Sequence, residues 1–264
     1  MSTKIGVMDS GAGGLTILKS IQKNLPNIEL IYFADQAHAP YGAKSDAFIV
    51  DRLLVVADFF KSQGCCVMVV ACNTATVAGI QTLRAKTDLP IVGVEPAVKP
   101  ACRRSSRKRV SVLATEGTSK SLRLNELIET WRFDTEVQVL ASKSLASLID
   151  EMPSVLSVAE QEVVRVSTIV KEHQSDALVL ACTHYPLIKN MFEAALPGVE
   201  IVEPSEGVTA QVRRILLSQG HALSDDFLDD ANVAIFTNGA VGFQKSLSYW
   251  SQDIEAKNIC FVDI

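Results

Sequence analysis

Short apolar runs alternate with amphipathic helical patterns along nearly the whole chain. Buried strands are predicted at residues 5–8, 28–33, 67–71, 91–94, 110–114, 137–140, 177–181, 199–202, 233–236 and 259–262. Helices are predicted between them at residues 15–25, between the caps Ser45 and Gly64, and at residues 122–128, 155–173, 187–195 and 208–217. Strands that alternate with helices form parallel sheets covered on both faces, so the pattern predicts an α/β fold with mostly parallel sheets.

One strand ending occurs twice in the chain. Residues 69–74 read Val-Val-Ala-Cys-Asn-Thr, and residues 179–184 read Val-Leu-Ala-Cys-Thr-His. In both, hydroxyl or amide residues and then a helix are predicted to follow the Ala-Cys ending. Both cysteines, Cys72 and Cys182, fall at the carboxyl end of a predicted parallel strand, the edge where open α/β sheets bind ligands. The repeat indicates two similar α/β halves. The alternative is a chance match between two ordinary buried strands.

Composition narrows the class of protein. The chain has 264 residues, of which 48% are hydrophobic and 21% are charged, and this balance excludes a disordered chain. A net charge of −5 gives no reason to expect nucleic acid or a membrane as partner. The N-terminus lacks the apolar core of a signal peptide, so we expect a cytoplasmic protein whose six cysteines are free thiols.

Two stretches interrupt the alternation of strands and helices. The basic run at residues 103–109 contains no aromatic residue, which favours an exposed linker or helix end over a nucleic-acid patch. The polar stretch at residues 218–231 predicts a surface connection.

Several loops carry residues suited to chemistry. The turn Asp9-Ser10-Gly11-Ala12-Gly13-Gly14 follows a strand and opens a helix, but it lacks the lysine of a P-loop and the glycine spacing of a dinucleotide site. Asp9 suits a site that handles protons or an ammonium group, whereas the simpler alternative is a helix cap formed by Asp9 or Ser10. Simple turns or caps are likewise the alternatives for Pro40-Tyr41-Gly42 and Thr115-Glu116-Gly117-Thr118.

Cys72 and Cys182 admit three interpretations. They are packing residues, zinc ligands together with His184, or a pair of acid–base groups. Against a zinc site, the sequence contains no Cys-x-x-Cys pair and no evident fourth ligand. A hydrolase that uses Cys182 and His184 is a further alternative, but it would give Cys72 no role. The other cysteines lack such surroundings and are predicted to pack in the interior; they are Cys65, Cys66, Cys102 and Cys260.

Six motifs together resemble those of the glutamate racemases, enzymes of the aspartate/glutamate racemase superfamily. They run in family order over nearly the whole chain: Asp9-Ser10-Gly11-Ala12-Gly13-Gly14-Leu15, Pro40-Tyr41-Gly42, Ala71-Cys72-Asn73-Thr74-Ala75, Gly93-Val94-Glu95-Pro96-Ala97, Ala114-Thr115-Glu116-Gly117-Thr118 and Ala181-Cys182-Thr183-His184-Tyr185-Pro186-Leu187. No single motif is specific, but the set favours the paired-cysteine interpretation.

The resemblance implies two similar α/β domains with the active site in the cleft between them. The first domain is expected at residues 1–98 plus 209–264 and the second at residues 99–208. The implied reaction interconverts L- and D-glutamate without a cofactor or metal and supplies D-glutamate for peptidoglycan synthesis. A homodimer is expected, and a racemase for another amino acid such as aspartate is the alternative.

The resemblance also assigns roles to individual residues. Cys72 and Cys182 would be the two bases, with Asp9 assisting Cys72 and His184 assisting Cys182. Further substrate-binding residues would be Ser10, Tyr41, Gly42, Asn73, Thr74 and Thr183, with Thr115 and Thr118 as additional candidates; Asp9 and His184 would also face the substrate.

The chain departs from the family pattern at two places that bear on the site. Family members often carry Gly-Asp-Thr-Ala-Arg before the Pro-Tyr-Gly motif, whereas this chain has Ala34-Asp35-Gln36-Ala37-His38. A functional glutamate of the family's second domain also has no exact match. Asp150 and Glu151 are the two candidates for that role, and the sequence assigns it to neither.

Overall fold

The computed structural model describes residues 3–224, 232–239, 241–254 and 256–264. The chain divides into two compact units, Met1–Val94 with Ser205–Ile264, and Glu95–Pro204. The predicted domain boundaries, after residues 98 and 208, lie slightly beyond these two junctions. A surface connection was predicted at residues 218–231. Residues 225–231 of this stretch lie outside the described residues.

Strands and helices alternate through both units. The strands are β1 (Lys4–Asp9), β2 (Glu29–Ala34), β3 (Val67–Val70), β4 (Ile91–Gly93), β5 (Arg109–Thr115), β6 (Glu136–Ser142), β7 (Ala177–Ala181), β8 (Glu200–Val202), β9 (Val233–Thr237) and β10 (Ala256–Phe261). The α-helices are α1 (Leu15–Asn24), α2 (Asp46–Ser62), α3 (Asn73–Lys86), α4 (Val98–Arg104), α5 (Glu116–Ser119), α6 (Leu122–Trp131), α7 (Leu145–Asp150), α8 (Leu156–Glu172), α9 (Lys189–Ala195), α10 (Ser205–Ser218) and α11 (Val241–Trp250). Short 3₁₀ turns lie at Gln36–His38, Tyr41–Ala43 and Tyr185–Ile188.

The first unit contains a six-stranded parallel sheet with the order β10-β9-β2-β1-β3-β4. Asp9 at the end of β1 pairs with Ala34 of β2, and Ala34 pairs with Thr237 of β9. Because parallel strands end at the same edge, this register brings the residues after β1, β2, β3 and β9 together.

The second unit contains a four-stranded parallel sheet with the order β6-β5-β7-β8. Ala114 of β5 pairs with Ala181 of β7, so the loops that follow these two strands are neighbours. Thr115 and Cys182 therefore start from adjacent positions at the carboxyl edge of this sheet. The α/β prediction is confirmed, with parallel pairing in both sheets.

Local chemistry sets the helix ends. The Ser45 side chain accepts a hydrogen bond from the Phe48 amide at the start of α2, and Gly64 follows that helix with a positive φ of 78°. Four helices lie where no helical segment was predicted: α4, α5, α7 and α11. The first three span only one to two turns, which is too short for a clear helical period. The prediction for the basic run is confirmed: Arg103 and Arg104 are exposed in the last turn of α4, and residues 105–108 connect that helix to β5.

The packing of the first unit depends on one glycine in its central strand. A Cβ placed on Gly6 of β1 would lie 2.4 Å from the ring of Phe60, which is fully buried on α2. The absence of a side chain at Gly6 therefore lets α2 pack closely against the sheet.

The cysteines differ in burial. Cys65 and Cys102 are buried and Cys66 is half-buried, as expected for packing residues. The expectation is wrong for Cys260, which is exposed because it lies on β10, the edge strand of its sheet. No described helix is long and apolar enough to cross a membrane.

Candidate active site

The Asp9 carboxylate organises the turn that follows β1. Its Oδ1 accepts a hydrogen bond from the Ser10 amide at 2.8 Å and its Oδ2 accepts one from the Gly14 amide at 2.7 Å. Asp9 is fully buried, and a Cβ placed on Gly14 would lie 2.9 Å from the Cβ of Asp9. The glycine therefore lets the start of α1 approach a buried carboxylate at the sheet edge.

Cys72 lies between β3 and α3, where it is the N-cap residue of the helix. It is buried, and its Sγ lies 3.9 Å from the Ser10 hydroxyl oxygen. The amino end of a helix carries partial positive charge, which favours a thiolate over a thiol. The sequence-predicted residues Asp9, Ser10 and Cys72 therefore share one edge of the first unit's sheet.

Asn73 is the first residue of α3, and its side chain is buried. Neither its Oδ1 nor its Nδ2 has a hydrogen-bond partner among the described residues. A buried amide without partners costs roughly 1–3 kcal/mol, so both atoms are suited to binding a polar ligand. Thr74, the next residue of the helix, is half-buried.

Tyr41 lies buried in the loop before α2. Its hydroxyl donates a hydrogen bond to Asp35 Oδ2 at 2.5 Å. Burial, together with the charge and the hydrogen bond of Asp35, raises the pKa of Tyr41 far above its ordinary value, so the hydroxyl keeps its proton. Gly42 is exposed, and a Cβ there would meet no atom within 4 Å.

The second unit places Cys182 directly after β7, buried, with His184 two residues later. His184 Nε2 lies 3.1 Å from Asp150 Oδ2, and the imidazole also makes a hydrogen bond with Cys182. Burial alone would lower the pKa of His184, but the Asp150 charge and these hydrogen bonds raise it well above 6.5. Asp150 rather than Glu151 contacts His184, and Glu151 is exposed.

The remaining predicted residues of this unit lie nearby along the sheet edge. Thr183 is buried beside Cys182. Thr115 caps α5: its Oγ1 accepts a hydrogen bond from the Thr118 amide at 3.3 Å and donates to the Thr118 hydroxyl at 3.1 Å. These bonds fit the cap interpretation, and substrate binding by Thr115 and Thr118 stays a prediction.

Two residues near the predicted sites were not singled out from the sequence. Tyr185 is fully buried directly after His184, and its hydroxyl has no hydrogen-bond partner among the described residues. Asp35 is also fully buried and binds Tyr41. The available signal for Tyr185 was its place in the family motif at residues 181–187. Asp35 lies in the segment 34–38, where the chain departs from the family pattern.

Each unit thus gathers one cysteine and polar side chains at the carboxyl edge of its own sheet. Cys182 has a charged imidazole beside it, and Cys72 has a hydroxyl and a helix terminus. These are surroundings in which a thiol can accept or donate a proton. In the part of the chain that is described, no group of three or more His, Cys, Asp or Glu side chains is placed to hold a metal ion.

The sequence matches the family described as Asp/Glu/hydantoin racemase over residues 5–214. The chain belongs to this racemase family. The glutamate racemase of Pseudomonas syringae pv. tomato is 38% identical over 252 residues, which is 95% of this chain and 86% of the relative. The glutamate racemase of Pseudomonas entomophila is 41% identical over 217 residues, 81% of this chain and 82% of the relative.

Solved structures of the family share the fold. Escherichia coli glutamate racemase, in complex with L-glutamate and the activator UDP-MurNAc-Ala, matches with a TM-score of 0.82 and 29% identity, covering 99% of this chain and 98% of its own. The RacE1 isoform from Bacillus anthracis matches with a TM-score of 0.86 and 27% identity at the same coverage. The predicted family is confirmed, and the protein is an amino-acid racemase, an isomerase.

Proposed function

We propose that this racemase interconverts L- and D-glutamate by two-base proton transfer, with Cys72 and Cys182 as the bases. The observation that carries the proposal is the matching placement of the two thiols. Each follows a central strand of its own parallel sheet, and each has polar groups beside it. The relatives that match over most of the chain are glutamate racemases, which supports glutamate as the substrate.

The reaction moves one proton off the α-carbon and returns another to the opposite face. One cysteine, as thiolate, takes the α-proton and becomes a thiol. The other cysteine, as thiol, donates its proton to the far face and becomes a thiolate. Two bases are needed because a single base tends to return the proton to the face from which it came. By the family resemblance, Cys72 acts on D-glutamate and Cys182 on L-glutamate.

The His184–Asp150 pair would support Cys182. A raised pKa keeps the imidazole protonated near neutral pH, so that it lies next to the Cys182 sulfur as a hydrogen-bonded cation. Asp150 holds the imidazole in place and thus fills the role that the family gives to a glutamate. Asp9 is proposed to assist Cys72 in the first unit.

Substrate binding would use the polar groups at the two sheet edges. The Asn73 amide, which has no hydrogen-bond partner in the described part of the chain, is suited to a carboxylate or an ammonium group. We propose that further substrate contacts come from Ser10, Tyr41, Gly42, Thr74 and Thr183. Negative charge develops as the α-proton leaves, and amides at the start of α3 would stabilise it. This chemistry asks for no cofactor, and the proposed product D-glutamate would serve peptidoglycan synthesis. A homodimer is also proposed, from the family alone.

Solvent-deuterium exchange tests reaction, substrate and base assignment together. Purified protein without added cofactor should racemise both glutamate enantiomers in D₂O and leave aspartate unchanged. No exchange with either glutamate enantiomer would reject the proposed function, and faster turnover of aspartate would reassign the substrate.

The cysteine variants test the two-base assignment separately. Cys72→Ser and Cys182→Ser should each lower racemisation by about 10³-fold or more, because a hydroxyl is a far weaker acid than a thiol. Circular dichroism should show both variants folded. Near-normal turnover in either variant would reject the assignment of that cysteine as a base.

A further inference from the structure

A second polar cluster lies at the sheet edge of the first unit, and its centre is the Asp35 carboxylate. Asp35 directly follows β2 and is fully buried. Its oxygens lie within hydrogen-bond distance of Tyr41 Oη (2.5 Å), His38 Nδ1 (2.9 Å), Arg52 Nε and Nη2 (3.0 and 2.9 Å) and Asn238 Nδ2 (2.5 Å). Four side chains thus converge on one buried charge.

The partners of Asp35 come from separate parts of the chain. Asn238 follows β9, and its Oδ1 also accepts a hydrogen bond from the Ala37 amide at 3.1 Å. Arg52 lies on α2, and its Nη2 also donates to the carbonyl oxygen of Ile264 at 2.9 Å. The cluster therefore links the loop after β2 to a helix and to the last segment of the first unit.

The charges in the cluster favour a fixed arrangement. Burial alone would raise the pKa of Asp35, but hydrogen bonds from Arg52, Tyr41, His38 and Asn238 hold it below its usual value. The carboxylate therefore stays ionised, and a charged acceptor makes stronger hydrogen bonds than a neutral one. The Tyr41 hydroxyl is thereby committed to Asp35 as a donor.

We propose that Asp35, held by Arg52 and Asn238, is a positioning residue that fixes the Tyr41–Gly42 loop for substrate binding. This inference rests on the proposed function, in which that loop contacts glutamate. Asp35 acts through Tyr41 and does not itself touch the substrate. A loop fixed in advance loses less conformational freedom when the substrate binds, so loss of the carboxylate charge weakens binding.

A double-mutant cycle tests whether Asp35 acts through Tyr41. Asp35→Asn should raise KM for both glutamate enantiomers by about tenfold or more and change kcat less, because a hydrogen bond to a charged group is lost. Tyr41→Phe breaks the same link, so adding Asp35→Asn to it should raise KM by no more than about twofold further.

The matched control is Asp51→Asn, which removes an exposed carboxylate one residue before Arg52. It should leave KM and kcat at the wild-type values. If Asp35→Asn does not fold, Asn238→Ser replaces it in the cycle, since it removes one donor from Asp35 without burying an unpaired charge. Its KM increase should be smaller, and it should also disappear in the Tyr41→Phe background.

Hydrogen exchange measures the positioning without relying on activity. The amides of Ala43 and Lys44 bind the Pro40 and Tyr41 carbonyls, and Asp35→Asn or Asn238→Ser should speed exchange in the 36–44 peptide. Exchange elsewhere in the first unit should stay at the wild-type rate.

Two results would overturn the inference. One is an unchanged KM together with wild-type exchange at 36–44. The other is that Asp35→Asn raises KM by the same factor in the Tyr41→Phe background as it does in the wild type. A wild-type protein that turns over no glutamate would instead refute the proposed function, and the exchange measurement would still decide whether Asp35 fixes the loop.

Discussion

The ionisation of His184 depends on its neighbours Asp150 and Cys182. Its folded pKa lies well above the unfolded value near 6.5: burial alone would lower the pKa, but the Asp150 charge and the hydrogen bonds with Asp150 and Cys182 together outweigh burial. The stabilisation from this pair is therefore fully present below about pH 6.5 and is lost as pH rises through the raised pKa.

Asp150→Asn should remove this pH-dependent stabilisation. We expect the free energy of unfolding to fall by about 2 kcal/mol at pH 6, and by less at pH values above the raised pKa of His184. Urea unfolding of the variant and the wild type at several pH values measures this difference in the free energy of unfolding. Glu151→Gln is the matched control because Glu151 is the exposed neighbour, and an equal loss in that variant would contradict the assignment of the effect to the pair.

The sequence identifies a functional residue when the residues next to it in the chain already indicate its role. Cys72 and Cys182 stand out because each follows Ala at the end of a buried strand. Asp35 does not stand out, because its partner Asn238 lies far along the chain. The choice between Asp150 and Glu151 also stays open from sequence, because it depends on the contact with the distant His184. Tertiary contacts of this kind leave no local pattern.

At the scale of elements, the close packing of α2 on β1 depends on Gly6. Gly6→Ala should lower the free energy of unfolding by about 1–3 kcal/mol, since the added Cβ overlaps the buried Phe60 ring. Thermal or urea unfolding checks this expectation. Gly207→Ala on α10 is the control, because a Cβ there meets no atom within 4 Å and alanine favours a helix. Equal stability of the Gly6 variant and the wild type would contradict the packing argument.

The elements themselves were largely predictable because period and capping are local properties. The strands fall within a few residues of their predicted positions, and Ser45 and Gly64 bound α2. α4 and α7 were not predicted because a helix of one or two turns is too short to show a helical repeat of apolar residues. The order of strands in each sheet depends on long-range pairing and was not predicted.

At the scale of the whole molecule, burial separates one thiol from the rest. Cys260 is exposed, whereas Cys66 is half-buried and the other four cysteines are buried. A thiol reagent should therefore modify Cys260 rapidly in the native protein and all six thiols after unfolding. Cys260→Ser should abolish the rapid phase and keep full racemase activity. Persistence of that phase in the variant would show that another cysteine is accessible.

The first unit is assembled from both ends of the chain, and this bears on the order of its folding during synthesis. β2 is an unpaired sheet edge until β9 emerges from the ribosome. Asn238, which binds Asp35, and Ile264, which binds Arg52, are both translated after the second unit. The Glu95–Pro204 unit is contiguous and can fold on the nascent chain before then. The loop that carries Tyr41 would thus acquire its Asn238 anchor only after the whole second unit, including Cys182, has been translated.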